Sequence, residues 1–100
     1  MGAYKPDTKA MVFIPPVRCF DRCEADKQQA LKVLEEASEV VEAVKQWMAD
    51  GTYDRKDRIV EECCDVVQAV CNLLHALGEA DISVDMGLCE RRNRERGRIS

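Results

Sequence analysis

The stretch "KVLEEASEVVEAV", residues 32–44, decides the fold, because its apolar and charged side chains separate only when it is wound as a helix. At about 100° per residue, Ala30, Val33, Leu34, Ala37, Val40, Val41, Val44, Trp47 and Met48 fall on one apolar arc. Glu35, Glu36, Glu39 and Glu42 crowd the same helix. Like charges at i,i+4, such as Glu35 and Glu39, repel, and such a pair costs about 0.2–0.5 kcal/mol in an isolated helix. The wheel divides the four. Glu36 lies at the edge of the apolar arc beside Val40 and Trp47, Glu39 lies one step further round, and Glu35 and Glu42 point away.

Outward from this stretch, the spacing predicts a first helix over residues 24–49, stopped by Gly51. A second helix, capped by Thr52 or Asp54, runs to Leu77 before Gly78. Its apolar set is wide: Ile59, Val60, Cys63, Cys64, Val66, Val67, Val70, Cys71, Leu73, Leu74 and Leu77 cover about half the cylinder. A surface helix in a monomer shows a narrower stripe, so this one is expected to contact more than one partner helix. Glu62 sits on the border of that apolar half, with Asp65 next to it. A third helix starts at Ile82 or Ser83 and runs into the Arg-rich tail, with Ile82, Met86, Cys89, Asn93 and Arg96 on one face. Residues 1–23 hold all three prolines and read as an extended arm anchored by Phe13, Ile14 and Phe20. Residues 24–100 then form a single all-α helical domain with a basic tail, its bundle completed by oligomerisation.

Composition agrees. One hundred residues make one small domain with a modest core. Five aromatics favour aliphatic helix packing over a β-sandwich. The net charge of −4 hides an asymmetry: residues 1–90 hold 18 acids against 10 Lys and Arg, whereas residues 91–100, "RRNRERGRIS", hold five Arg and one Glu. The start of the chain shows no apolar signal segment, and no apolar run is long enough for a membrane span. Six cysteines without a secretory signal read as reduced thiols, so a cytoplasmic location is expected.

Two carboxylate pairs stand out, Glu36/Glu39 and Glu62/Asp65, each spaced i,i+3. If the two helices pack antiparallel, the four carboxylates converge across the seam and repel unless a cation neutralises them. Oxygen-only ligands of this kind suit Mg²⁺ or Mn²⁺, which keep several waters and accept phosphate oxygens.

Glu35-Glu36-x-x-Glu39, then 22 residues, then Glu62-x-x-Asp65, resembles the EExxE…ExxD pattern of the MazG-like, all-α nucleoside triphosphate pyrophosphohydrolases. The resemblance covers residues 28–98 and implies that Glu36, Glu39, Glu62 and Asp65 hold the divalent metal. It also implies cleavage of a (d)NTP to (d)NMP and pyrophosphate, through attack of an activated water on the α-phosphorus. Glu35 is a candidate to take the proton. The tail "CERRNRERGR" is similar to the family segment that binds the triphosphate, with Asn93 at the Asn position. The family's Lys is Cys89 here, which leaves the phosphates to Arg92, Arg96 or another Arg. Trp47 is core packing or a surface on which a nucleobase stacks.

Rival readings come from other features. A phosphoribosyl-ATP pyrophosphohydrolase has a similar length, but its second-helix motif continues with Tyr-His where this chain has "DVVQAV". A catalytically silent helical oligomer that binds nucleotide or protein would keep the same acidic faces. The tail could bind nucleic acid, yet the body is acidic and no aromatics interleave with the Arg. Cys19-x3-Cys23 and Cys71-x3-His75 could form a zinc site, but neither has the usual knuckle spacing.

Overall fold

The computed structural model describes residues 10–50 and 56–100. Three helices follow one another: α1 (Lys27–Asp50), α2 (Lys56–Ala76) and α3 (Ser83–Glu95). No strand occurs among the described residues. The all-α expectation holds. The proposed stop at Gly51 and caps at Thr52 or Asp54 lie outside the described residues.

The ends are set by side-chain and glycine chemistry. α1 begins at Lys27, three residues later than its periodicity alone suggests, because Asp26 acts as the cap. Its carboxylate accepts the Gln29 N–H at 2.9 Å, while its carbonyl accepts from Ala30. α2 ends in a paired closure. Gly78, at φ 82°, donates to the His75 carbonyl, and Glu79 donates to Leu74, which satisfies two terminal carbonyls. Gly97, at φ 74°, repeats this at the end of α3, with donations to Arg94 and, from Arg98, to Asn93. In sequence Gly97 carries little message; in the fold it stops the Arg-rich helix. At the start of α3, Asp81 accepts both the N–H and the hydroxyl of Ser83. Those two hydrogen bonds hold the Asp81 carboxyl below its ordinary value.

α1 and α2 pack together, and α3 packs against neither. The pairing is antiparallel: Gln29, early in α1, reaches the Ala69 carbonyl, late in α2, at 3.1 Å, while Arg58, early in α2, donates to Gln46, late in α1, at 2.9 Å. Along α1 the covered positions include the series Gln29, Val33, Glu36, Val40, Ala43 and Trp47. Along α2 they include the series Ile59, Glu62, Val66, Ala69, Leu73 and Ala76. Each series advances by alternating steps of four and three residues, the spacing that keeps one stripe facing a partner helix. Ala43 and Ala69 are the most buried apolar residues, at 2% and 4% exposure, and their small side chains let the helices approach.

Residues 10–26 hold neither helix nor strand, and they run along α2. Three hydrogen bonds join the arm to that helix: Phe20 N–H to Asn72 Oδ1 at 3.1 Å, Gln68 Nε2 to the Arg18 carbonyl at 3.0 Å, and Cys19 Sγ to the Cys71 carbonyl at 3.4 Å. Asn72, 3% exposed, is the centre of this clasp, because Gln68 Nε2 also donates to its Oδ1 at 3.0 Å. Phe20 is 60% exposed, and Phe13 and Ile14 are exposed as well. The arm is therefore held by backbone groups of Arg18 and Phe20 and the Cys19 thiol rather than by the three apolar anchors its sequence suggests.

The wide apolar set of α2 divides by function. Its inner half faces α1 and the arm, whereas Val60, Cys63, Cys64, Val70 and Leu77 face outward. Leu34, Val41 and Met48 form a matching outward line on α1. The chain exposes 8569 Å², against about 5,700 Å² for a compact monomer of its mass. Its radius of gyration is 16.6 Å, against about 13 Å for a compact chain of this length. No helix among the described residues is long and apolar enough to cross a membrane.

The clasp gives a direct expectation. Asn72→Ala leaves the Phe20 N–H without its acceptor, at a cost of about 1–3 kcal/mol. That corresponds to roughly 4–8 °C of melting temperature for each kcal/mol. Limited proteolysis of the variant should cut first within residues 10–23. An unchanged cutting pattern would show that Asn72 does not hold the arm.

Candidate metal centre

The antiparallel seam places carboxylates from both helices at one level. Glu36 of α1 and Glu62 of α2 occupy covered positions of the two inward stripes, where an apolar residue would normally sit. Asp65, one turn beyond Glu62, is exposed and leans on the same point. One oxygen from each of Glu36, Glu62 and Asp65 lies within 4.8 Å of the other two. Three of the four residues expected from the sequence are thus brought together. Glu39 is exposed and lies outside this cluster, although its charge still acts on Glu62.

The electrostatics are those of crowded like charges. Glu62 is held above its ordinary value of 4.5, first by desolvation, then by the charges of Asp65, Glu39 and Glu36, with Arg58 opposing them. Lys32 is the cation nearest to Glu36. Its ammonium bridges Glu35 at 3.1 Å and Glu36 at 3.2 Å, and those bonds hold its own pKa above the ordinary lysine value. Lys32 was not singled out by the sequence pattern, although its i,i+4 spacing to Glu36 was there to be read. Glu35 faces outward beside Lys32, as the wheel suggests. Glu42 pairs with Lys45 at 3.3 Å and belongs to the solvated face.

The donor set fits a hard divalent cation. In an octahedral site at about 2.1 Å, ligand oxygens stand about 3.0 Å apart when adjacent and 4.2 Å apart when opposite. Small side-chain rotations bring oxygens at the observed spacing to those distances. Two of the three carboxylates are only half-covered, which leaves room for waters or phosphate oxygens as remaining ligands.

The other expected site residues lie apart from the triad within one chain. Asn93 on α3 contacts Cys89 Sγ at 3.7 Å and accepts from Arg98 at 3.1 Å. Arg92 and Arg96 are exposed on the same segment. Trp47 is half-buried on the inward stripe of α1, 11 residues and about 16 Å of helix beyond Glu36. Among the described residues, the acidic triad is the one cluster of three His, Cys, Asp or Glu side chains close enough to hold a metal, so the Cys/His zinc alternative finds no assembled site. No protein-family model, curated protein or solved structure matches the chain.

Folding raises the affinity of Glu62 for its proton, so its contribution to stability is fully present below about pH 4.5 and is lost as pH rises through the higher folded-state value. At neutral pH a cation held by the cluster would offset the same carboxylate repulsion. Titrating Mg²⁺ to ten times its dissociation constant should then stabilise the protein by about 1.4 kcal/mol, or roughly 6–11 °C. The shift should vanish near pH 4.5 and in Glu62→Gln. A melting temperature indifferent to Mg²⁺ and Mn²⁺ at neutral pH would dismiss the centre.

Proposed function

We propose that the protein is a metal-dependent nucleotide pyrophosphohydrolase that cleaves a (d)NTP to (d)NMP and pyrophosphate. The observation that carries this reading is the convergence of Glu36, Glu62 and Asp65 across the α1–α2 seam, at the positions required by the resemblance to MazG-like enzymes. Glu39, one turn from Glu36, supplies the fourth carboxylate. Mg²⁺ or Mn²⁺ held by this set would neutralise phosphate charge and lower the pKa of an attacking water. The water oxygen adds to the α-phosphorus, the bond from that phosphorus to the bridging oxygen breaks, and pyrophosphate leaves with the electron pair. Glu35 is the proposed acceptor of the water's proton. Lys32 stands between Glu35 and Glu36, where it can move from carboxylate to phosphate when the substrate's charge arrives.

The tail completes the site from another copy. α3 packs against neither helix of its own chain, and the surface in excess of a compact monomer is about 2,900 Å². Obligate interfaces bury about 1,000–2,500 Å² per chain, so assembly would cover much of that excess. Assembly into a homodimer or homotetramer would cover the outward lines of α1 and α2 and bring Asn93, Arg92 and Arg96 to the phosphates. Arginine forks there would hold the outgoing pyrophosphate bidentately. Such an enzyme would act on nucleotide pools in the cytoplasm.

Two measurements check this. Pyrophosphate release from a panel of NTPs and dNTPs with Mg²⁺ should appear in the wild type. It should fall in Glu62→Ala by more than the roughly 10–100-fold that loss of an outer-sphere partner costs. A panel on which neither protein releases pyrophosphate favours the catalytically silent oligomer. Light scattering should give a mass at least twice that of one chain; a monomer at micromolar concentration would leave α3 without a route to the triad.

A further inference from the structure

Two members of the triad, Glu36 and Asp65, line a cavity of about 540 Å³ whose wall also includes Phe20, Gln28, Gln29 and Gln68. This volume is within the range of small-molecule pockets. The lining holds the carboxylates of Glu36 and Asp65 with Lys32 paired to Glu36, one aromatic ring and four side-chain amides, the fourth being Asn72. Phe20 comes from the arm, which lies outside the region resembling the pyrophosphohydrolases.

The orientation of two of the amides follows from the clasp. The Phe20 N–H is a donor, so the Asn72 atom that it meets is the carbonyl oxygen. The Gln68 atom facing that oxygen and the Arg18 carbonyl must then be its NH₂ group. Gln68 Oε1 is left with no donor among the described residues. Gln29 is fixed in the same way, since its Nε2 donates to the Ala69 carbonyl and leaves Oε1 as the unused atom. The cavity wall therefore carries two amide oxygens with no donor among the described residues and an exposed ring, while the Gln28 amide is free to turn either end.

We propose that this cavity is a nucleobase pocket that selects bases whose exocyclic amine stands at pyrimidine C4 or purine C6, namely cytosine or adenine. The proposal rests on the pyrophosphohydrolase reading, since the phosphates of the same ligand would lie toward Glu36 and Asp65. The base stacks on the Phe20 ring, and its amine donates to Gln29 Oε1 or Gln68 Oε1. Uracil and thymine present a carbonyl oxygen at the corresponding edge, and that oxygen would meet two acceptors.

Calorimetry in Mg²⁺ tests this with inorganic tripolyphosphate and the α,β-methylene analogues of dCTP, dATP, dUTP and dTTP. The dCTP or dATP analogue should bind at least about tenfold tighter than tripolyphosphate and than the dUTP and dTTP analogues. The two amine-bearing arms tell cytosine from adenine. Phe20→Ala should remove that advantage and leave tripolyphosphate binding unchanged, and Phe20→Trp should retain it. The Phe20 N–H bond to Asn72 survives in both variants, so their melting temperatures should stay close to the wild type. Equal affinities for tripolyphosphate and every nucleotide would overturn the base pocket and leave the metal and phosphate reading standing. A preference for the dUTP or dTTP analogue would overturn the amide selection. If no ligand bound at all, both this pocket and the pyrophosphohydrolase reading would fall.

Discussion

The antiparallel α1–α2 seam carries two carboxylates at covered positions, and the rest of the molecule is arranged around that conflict. Glu36 and Glu62 occupy the stripes that elsewhere hold Val33, Val40, Val66 and Leu73. An apolar pair there would add burial at about 25 cal/mol per Å². The carboxylates instead lose hydration and face each other's charge, which is why the Glu62 carboxyl holds its proton more tightly than usual. The conflict is softened by placement at the rim of the seam, where water still reaches, and by Lys32 and Arg58 nearby. Ala43 and Ala69 allow the helices to close on either side of the acidic level.

A seam that gives up apolar positions needs support from elsewhere. Only two apolar residues are fully buried among the described ones, so the pair α1–α2 has little core of its own. The arm adds a polar clasp through Asn72 and Gln68, in which every buried side-chain nitrogen and oxygen finds a partner. Such a clasp contributes specificity of position more than stability, because each bond replaces one made to water. It places Phe20 beside the triad without burying it. The same segment therefore serves the fold through its backbone and leaves its ring free for a ligand.

Much of this was legible in the residues. The period of residues 30–48 and the breadth of the second apolar set give two long helices, and the border positions of Glu36 and Glu62 foretell their meeting. Helix pitch fixes those relations before any packing occurs. The start of α1 was misplaced by three residues, because periodicity is blind to Asp26 closing the first turn through its side chain. Asn72 and Gln68 were invisible for another reason: they are polar residues within an apolar series, and their partners lie about 50 residues away in a segment without periodicity. Axial distance was lost too. A wheel puts Trp47 beside Glu36, whereas the helix carries it three turns further along. The aromatic at the acidic level is Phe20, which the sequence marks only as an anchor of the arm.

The same geometry shows why fold and chemistry are hard to separate in a chain this small. Replacing Glu36 or Glu62 by leucine would relieve the repulsion and deepen the seam, and by the usual behaviour of buried charges the protein would gain stability. The acids therefore mark a position where the fold gives up stability for something the apolar alternative could not do. A divalent cation accounts for that cost more fully than a solvated face does. A solvated face puts its acids outward, as Glu42 and Glu35 are here, and gains nothing by turning two of them into the contact between helices. Lys32, shared between Glu35 and Glu36, and Arg58, acting on Glu62, offset part of the inward charge, and the Glu62 carboxyl still stands above its ordinary value.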